Sequence, residues 1–97
     1  MSSPPFDELI HQPHRLRICV LLAGVEEMSF QALCDELDVT MPTLSKQLKM
    51  LTEAGYVKTR KFTLSKRQST WAHLTPAGSA ALKAHLAALR SMADQVL

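Results

Sequence analysis

Apolar residues recur at helical spacing from Ser29 to Val57, SFQALCDELDVTMPTLSKQLKMLTEAGYV, and fall into two short stripes divided at Asp38-Val39. Phe30, Leu33, Cys34 and Leu37 form the first stripe, which leaves Gln31, Asp35 and Glu36 to water. Ser29 is placed to cap this helix, with Met28 and Leu33 at the two positions of a hydrophobic staple. Thr40 repeats the cap, Val39 and Leu44 repeat the staple, and Pro42 stands in a first turn where its missing N–H breaks no helical bond. The second helix is expected to run to about Ala54, burying Met41, Leu44, Leu48 and Leu51. At about 100° per residue, Pro42, Thr43, Lys46, Lys49 and Met50 then point outward, with Ser45 and Gln47 on the flanks.

The same reading extends to both ends of the chain. Residues 1–5 bury nothing and are expected to form a flexible tail. Phe6, Leu9 and Ile10 predict a short amphipathic turn of helix interrupted by Pro13; a helix of about Pro13 to Ala23 follows, apolar nearly all round and therefore central, stopped by Gly24. Beyond Gly55 the pattern changes to β-formers: Tyr56, Val57, Thr59, Phe62 and Thr63 predict one strand, and Gln68 to Thr75 a second. Leu64-Ser65-Lys66-Arg67 is the expected tip, a loop longer than two residues and without glycine. Thr75 and Pro76 then open a helix that runs nearly to Leu97, roughly 33 Å long.

Along that last helix Leu82, Leu86, Leu89, Ala93 and Val96 make a heptad seam. A small body cannot cover its whole length, so residues 76–97 are expected to form a homodimer; packing on the helix of residues 13–23 is the intramolecular alternative, and both can hold at once. The fold class that results is mainly α with a small β-hairpin, one α+β domain over residues 1–97.

Net charge is only +2, but its distribution is uneven. Residues 41–70 carry seven cations (Lys46, Lys49, Lys58, Arg60, Lys61, Lys66 and Arg67) against Glu53 alone, a net +6, whereas the remainder carries four cations and eight anions, a net −4. A basic segment in an otherwise acidic chain is the footprint of a polyanion-binding surface. Lys46 and Gln47 could meet base edges, and the hydroxyls of Thr43 and Ser45 bases or phosphate. An ordinary solvated helix face has the same residue types, so the helix alone leaves both readings open.

Other chemistry is sparse. No glycine-rich phosphate loop, nucleophile motif or convergent carboxylate set is present, so no enzyme is expected. His11 and His14 lack an obvious third ligand and are read as surface histidines; no metal or cofactor is implied. Arg15 and Arg17 are read as solvated rather than as phosphate contacts. Cys19 and Cys34 have neither CxxC spacing nor disulfide density and are read as buried thiols, a redox role being the alternative. With no membrane-spanning run and no secretory signal, a cytoplasmic protein is expected.

The stretches IHQPHRLRICVLLA, FQALCDELDVTMPTLSKQLKMLTEAGYV, KFTLSKRQSTW and LTPAGSAALKAHLAAL together resemble the small winged helix-turn-helix transcriptional regulators of the MarR/ArsR type. The resemblance implies a dimer formed by terminal helices, a recognition helix at about 41–54 in the major groove of double-stranded DNA, and a wing at about 62–70 on flanking DNA. It places Thr43, Ser45, Lys46, Gln47 and Lys49 on the reading helix and Lys66 and Arg67 on the wing. Cys34 stands alone in ALCDEL, and His85 and Asp94 lack the paired ligands of the metal-sensing members, so metal sensing is not carried over. No small-molecule effector is assigned. The competing reading is a winged helix that serves as a protein interaction module, which would need no basic face.

Overall fold

Side-chain oxygens fix where the helices begin. In the computed structural model, which describes residues 5–97, Asp7 caps α1 (Glu8–His11) and Gln12 caps α2 (Pro13–Ala23). Ser29 caps α3 (Phe30–Leu37), its Oγ accepting the Ala32 N–H at 3.1 Å. Thr40 caps α4 (Met41–Glu53), and Thr75 caps α5 (Pro76–Asp94) by accepting the Gly78 N–H at 3.0 Å. Each oxygen satisfies one of the donors that a first helical turn leaves unpaired. Residues 1–4 of the expected tail lie outside the described residues.

Between α3 and α4 the chain turns on Asp38, a left-handed residue (φ 55°) of the kind that Asp tolerates better than branched side chains. At the far end of α4, Gly55 (φ +79°) completes a Schellman stop: the Tyr56 N–H donates to Leu51 O and the Gly55 N–H to Thr52 O, both at 3.0 Å.

Three antiparallel strands follow the order β1-β3-β2, where β1 is Met28–Ser29, β2 Val57–Leu64 and β3 Arg67–Leu74. The short β1, which pairs Met28 with Ala72 and Ser29 with Trp71, is not predicted from the sequence, where Met28 serves only as a staple. The hairpin tip also corrects its expectation. Leu64 pairs directly with Arg67, leaving a two-residue turn, Ser65-Lys66, with φ of 50° and 65°. Positive φ at both positions is the type I′ geometry that follows the right-handed twist of a hairpin, here adopted without glycine. Relieving that strain with Ser65→Asn and Lys66→Gly together is expected to raise stability by about 1 kcal/mol, measured as a higher thermal midpoint; an unchanged midpoint would show that the turn costs nothing.

The core collects Ile10, Ile18, Cys19, Leu22, Leu33, Leu37, Leu44, Leu48, Leu51, Val57, Ala72 and Leu82. Two expectations differ from this packing. Met41, expected on the buried side, is 40% exposed because the first residue of α4 lies past the edge of the core; its sulfur touches Cys34 Sγ at 4.0 Å. The last helix ends at Asp94, short of Leu97, and Val96 is 82% exposed beyond it.

Candidate nucleic-acid interface

Burying Leu44, Leu48 and Leu51 turns the opposite side of α4 to solvent, where Ser45, Lys46 and Lys49 are exposed and Thr43 is half-buried. Thr43 is held locally, its Oγ1 3.1 Å from Thr40 Oγ1. Lys49 lies 4.0 Å from Glu53 one turn on, an exposed pair that water screens and that leaves the ammonium free to exchange partners.

Gln47 is placed differently from its neighbours. It is half-buried, and its Oε1 accepts from Arg15 Nη1 at 2.7 Å. Arg15, read from the sequence as a solvated cation, instead reaches from α2 behind α4: its Nε donates to Leu9 O at 2.6 Å and Nη1 lies 3.2 Å from Met50 Sδ. A guanidinium fixed by three partners orients the flank of α4 from within the protein. Arg17, exposed as expected, donates to Glu36 O at 3.1 Å.

Next to α4 the hairpin forms the wall of an open groove of about 570 Å³, lined among others by Gln31, Ser45, Thr59, Lys61, Gln68 and Thr70. The strand pairing explains which wing residues take part. Lys61 lies opposite Thr70 and Thr59 opposite Ala72, so these side chains share one face of the sheet; Arg60 opposite Trp71, Phe62 opposite Ser69 and Leu64 opposite Arg67 share the other. Lys66 is exposed at the turn, and Arg67 stands on the face turned from the groove. Lys61, which the sequence presents only as one of the seven cations of the basic segment, is a groove cation; period-two alternation along KTRKFT shows that Thr59 and Lys61 share a face, but not which face meets α4.

Arg60 is committed elsewhere. Its Nε donates to Glu27 Oε2 at 2.8 Å, its Nη2 pairs with Glu27 Oε1, and its guanidinium sits 4.8 Å from the Phe62 ring centroid. These hydrogen bonds hold the Glu27 carboxyl below its usual range. Phe62 stacks on Trp71 with centroids 5.9 Å apart, stiffening the hairpin from its outer face.

On α5 the expected seam divides between inside and outside. Leu82 is 4% exposed within a single chain and belongs to the core, so it has almost no surface left for a partner. Leu86 is 42% exposed, Leu89 and Ala93 are half-buried, and Leu86 lies in a shallow groove with Lys83, Ala87, Arg90, Ser91 and Asp94. The inward stripe is Gly78, Leu82, His85 and Ala88.

Among the described residues no group of three or more His, Cys, Asp and Glu side chains could hold a metal ion. His11 is exposed, yet its Nδ1 lies 3.1 Å from Nε2 of the fully buried His85. Cys19 and Cys34 are both buried, and desolvation pushes the Cys19 thiol up to about 11 and the Cys34 thiol upward too. Neutral thiols of this kind are poor nucleophiles.

Residues 14–93 match the family model described as winged helix DNA-binding domain. A protein from Methanocaldococcus jannaschii is 35% identical over 72 residues, covering 74% of this chain and 78% of the relative. A transcriptional regulator homologue from Pyrococcus horikoshii superimposes with a TM-score of 0.86 at 27% identity, over 93% of this chain and 89% of its own. The transcriptional repressor BigR from Xylella fastidiosa gives 0.66 at 30% identity, over 88% and 79% of the two chains. A family match across most of the chain, on a helix pair followed by a hairpin with a basic tip, shows that the protein belongs to the family of winged helix DNA-binding domains, whose structural relatives at 27% and 30% identity are transcriptional regulators and not enzymes.

Proposed function

We propose that the chain is a cytoplasmic, homodimeric transcriptional regulator that binds double-stranded DNA in a sequence-specific manner, as one domain. In this reading α4, with the turn that follows it to about residue 54, enters the major groove, and residues 62–70 of the wing lie on the backbone or minor groove beside it. The observation that supports it most is the outward face of α4 carrying Ser45, Lys46 and Lys49 beside the Lys61 groove, while Leu44, Leu48 and Leu51 anchor the helix from behind.

The residues divide by role. Lys46 and Ser45, exposed near the middle of α4, are offered to base edges; Thr43 and Lys49 lie on the same outward side, toward the phosphates. Gln47 takes part with its Oε1 already held by Arg15, so only its amide N–H groups remain to donate, as to a base acceptor. Lys66 and Arg67 reach the backbone from the tip and outer face of the wing, and Lys61 adds a contact from the inner face.

Titration of duplex DNA at several salt concentrations tests the reading, because binding through phosphates must weaken steeply as salt rises. Replacing Lys66 and Arg67 together by Ala is expected to weaken all sequences alike and reduce the salt slope by about 2. Lys46→Ala should instead change the preference among sequences, by about 1 to 3 kcal/mol at the base it meets. Absence of salt-dependent duplex binding would return the chain to the class of protein interaction modules.

A further inference from the structure

His85 is the one histidine with no exposure at all, and both of its ring nitrogens are engaged. Nδ1 accepts the backbone N–H of Asp7 at 3.0 Å, which requires that nitrogen to be unprotonated. The ring proton is therefore on Nε2, which faces His11 Nδ1 at 3.1 Å and donates to it, so His11 Nδ1 is unprotonated as well. A backbone amide thus dictates the protonation of two imidazoles. Phe6 packs against both, with centroids 4.8 Å from His11 and 4.7 Å from His85, and keeps water from the inner ring.

From this pair a chain of contacts leads to α4. Asp7 Oδ1 caps α1 through the Ile10 N–H at 3.0 Å, and Asp7 Oδ2 accepts from Tyr56 Oη, at the junction of α4 and β2, at 2.6 Å. Leu9 of α1 gives its carbonyl to Arg15, which holds Gln47. We infer that His85, held between the Asp7 amide and His11, is an acid-released latch: a proton at its Nδ1 sets donor against donor at the Asp7 N–H, detaches α1 from α5, and through Leu9 and Arg15 loosens the flank of α4.

The neighbouring charges set its direction. Burial and the nearby His11 lower the pKa of His85, outweighing the opposing pull of the Asp7 and Glu8 carboxylates, and the same Asp7 carboxylate raises the Tyr56 hydroxyl and the Cys19 thiol beside it. A histidine whose folded pKa is lowered lets the unfolded chain take up the proton first as pH falls. The stability that the latch contributes is therefore complete above the ordinary value of 6.5 and is lost as pH falls from there through the folded value, where the ring itself takes the proton and the latch opens.

Nuclear magnetic resonance of the full chain provides the test. Histidine nitrogen shifts at about pH 7.5 should show His85 as the Nε2–H tautomer, and the amides of Asp7 and Ile10 should be protected from exchange. On acidification to about pH 5.5, those protection factors should drop at least about tenfold more than those of Leu22 and Leu48. H11Q/H85Q, which keeps amide donors and acceptors but cannot titrate there, should lose this selective drop. An Nδ1–H tautomer of His85, or equal pH dependence at all four amides in the wild type, would overturn the latch, and both readings survive if the variant does not fold. The link to α4 rests on the DNA-binding reading: duplex affinity of the wild type should fall several-fold further on acidification than that of the variant. Equal falls alongside selective loss of protection would overturn only that link, whereas no duplex binding at any pH would overturn the function and leave the amide result standing.

Discussion

Gly78→Ala is expected to destabilise the fold by about 3 kcal/mol, lowering the thermal midpoint by roughly 12 °C or more. Helix propensity predicts the opposite sign, because Ala in α5 is favoured over Gly by about 1 kcal/mol. Space decides otherwise. A Cβ on Gly78 would lie 2.1 Å from Tyr56 O and 2.9 Å from both Tyr56 C and Leu74 Cδ1. The carbonyl cannot readily retreat, since Tyr56 O accepts the Thr75 N–H at 2.9 Å and Thr75 Oγ1 donates to Gly55 O at 2.6 Å. The start of α5 is therefore bolted to the end of α4 with no room for a methyl group. Gly55→Ala is the informative contrast: nothing lies within 4 Å of its Cβ, but φ is +79°, so only backbone strain of about 1 kcal/mol is expected. Denaturant or thermal unfolding of both variants separates the two causes. Equal small losses would mean that the chain relaxes around residue 78 and that the junction is not tight.

Those junctions show which parts of the molecule were legible beforehand. Ser29, Thr40 and Thr75 announce their helices because a cap is a local arrangement, complete within four residues, and all three side chains accept the expected amide. The apolar stripes of α3 and α4 are likewise local and place Leu33, Leu37, Leu44, Leu48 and Leu51 in the core. By contrast β1 exists only through pairing with Ala72 and Trp71, far along the chain, and two residues carry no periodicity. The Ser65-Lys66 turn hides because positive φ is usually advertised by Gly or Asn, and neither is present.

Side-chain roles were harder to read than elements. Arg15 and Gln47 look like independent surface groups in the sequence, and their partnership depends on how α2 crosses behind α4. His85 shares the stripe of Leu82 and Ala88, but its burial could be recognised only once Asp7, Phe6 and His11 had folded over it. The heptad seam divides between core and surface for the same reason. Periodicity shows that α5 has apolar positions on two neighbouring sides, while the position of the core decides that Leu82 turns inward and Leu86 outward.

That division makes Leu86→Glu the decisive substitution for assembly, with an expected change from dimer to monomer in sedimentation and little change in the unfolding of the single chain. Leu86 is 42% exposed, so a carboxylate there remains hydrated in the monomer, whereas Leu82→Glu would bury a charge in the core and unfold the protein for an unrelated reason. The molecule measures 55 × 25 × 21 Å, and the open face of α5 around Leu86 is bordered by Lys83, Arg90 and Asp94, cations and an anion that a two-fold axis can bring into register. In a dimer closed by this face, two copies of α4 would meet successive major grooves about 34 Å apart, on an approximately palindromic site with centres about 10 base pairs apart. Separating the copies removes the second, intramolecular binding event, so affinity for such a site is expected to fall about a hundredfold or more while contact with a single half-site persists. An unchanged sedimentation coefficient would exclude the Leu86 face as the interface. A monomer that kept full affinity for the palindrome would show that one winged helix reads its site alone.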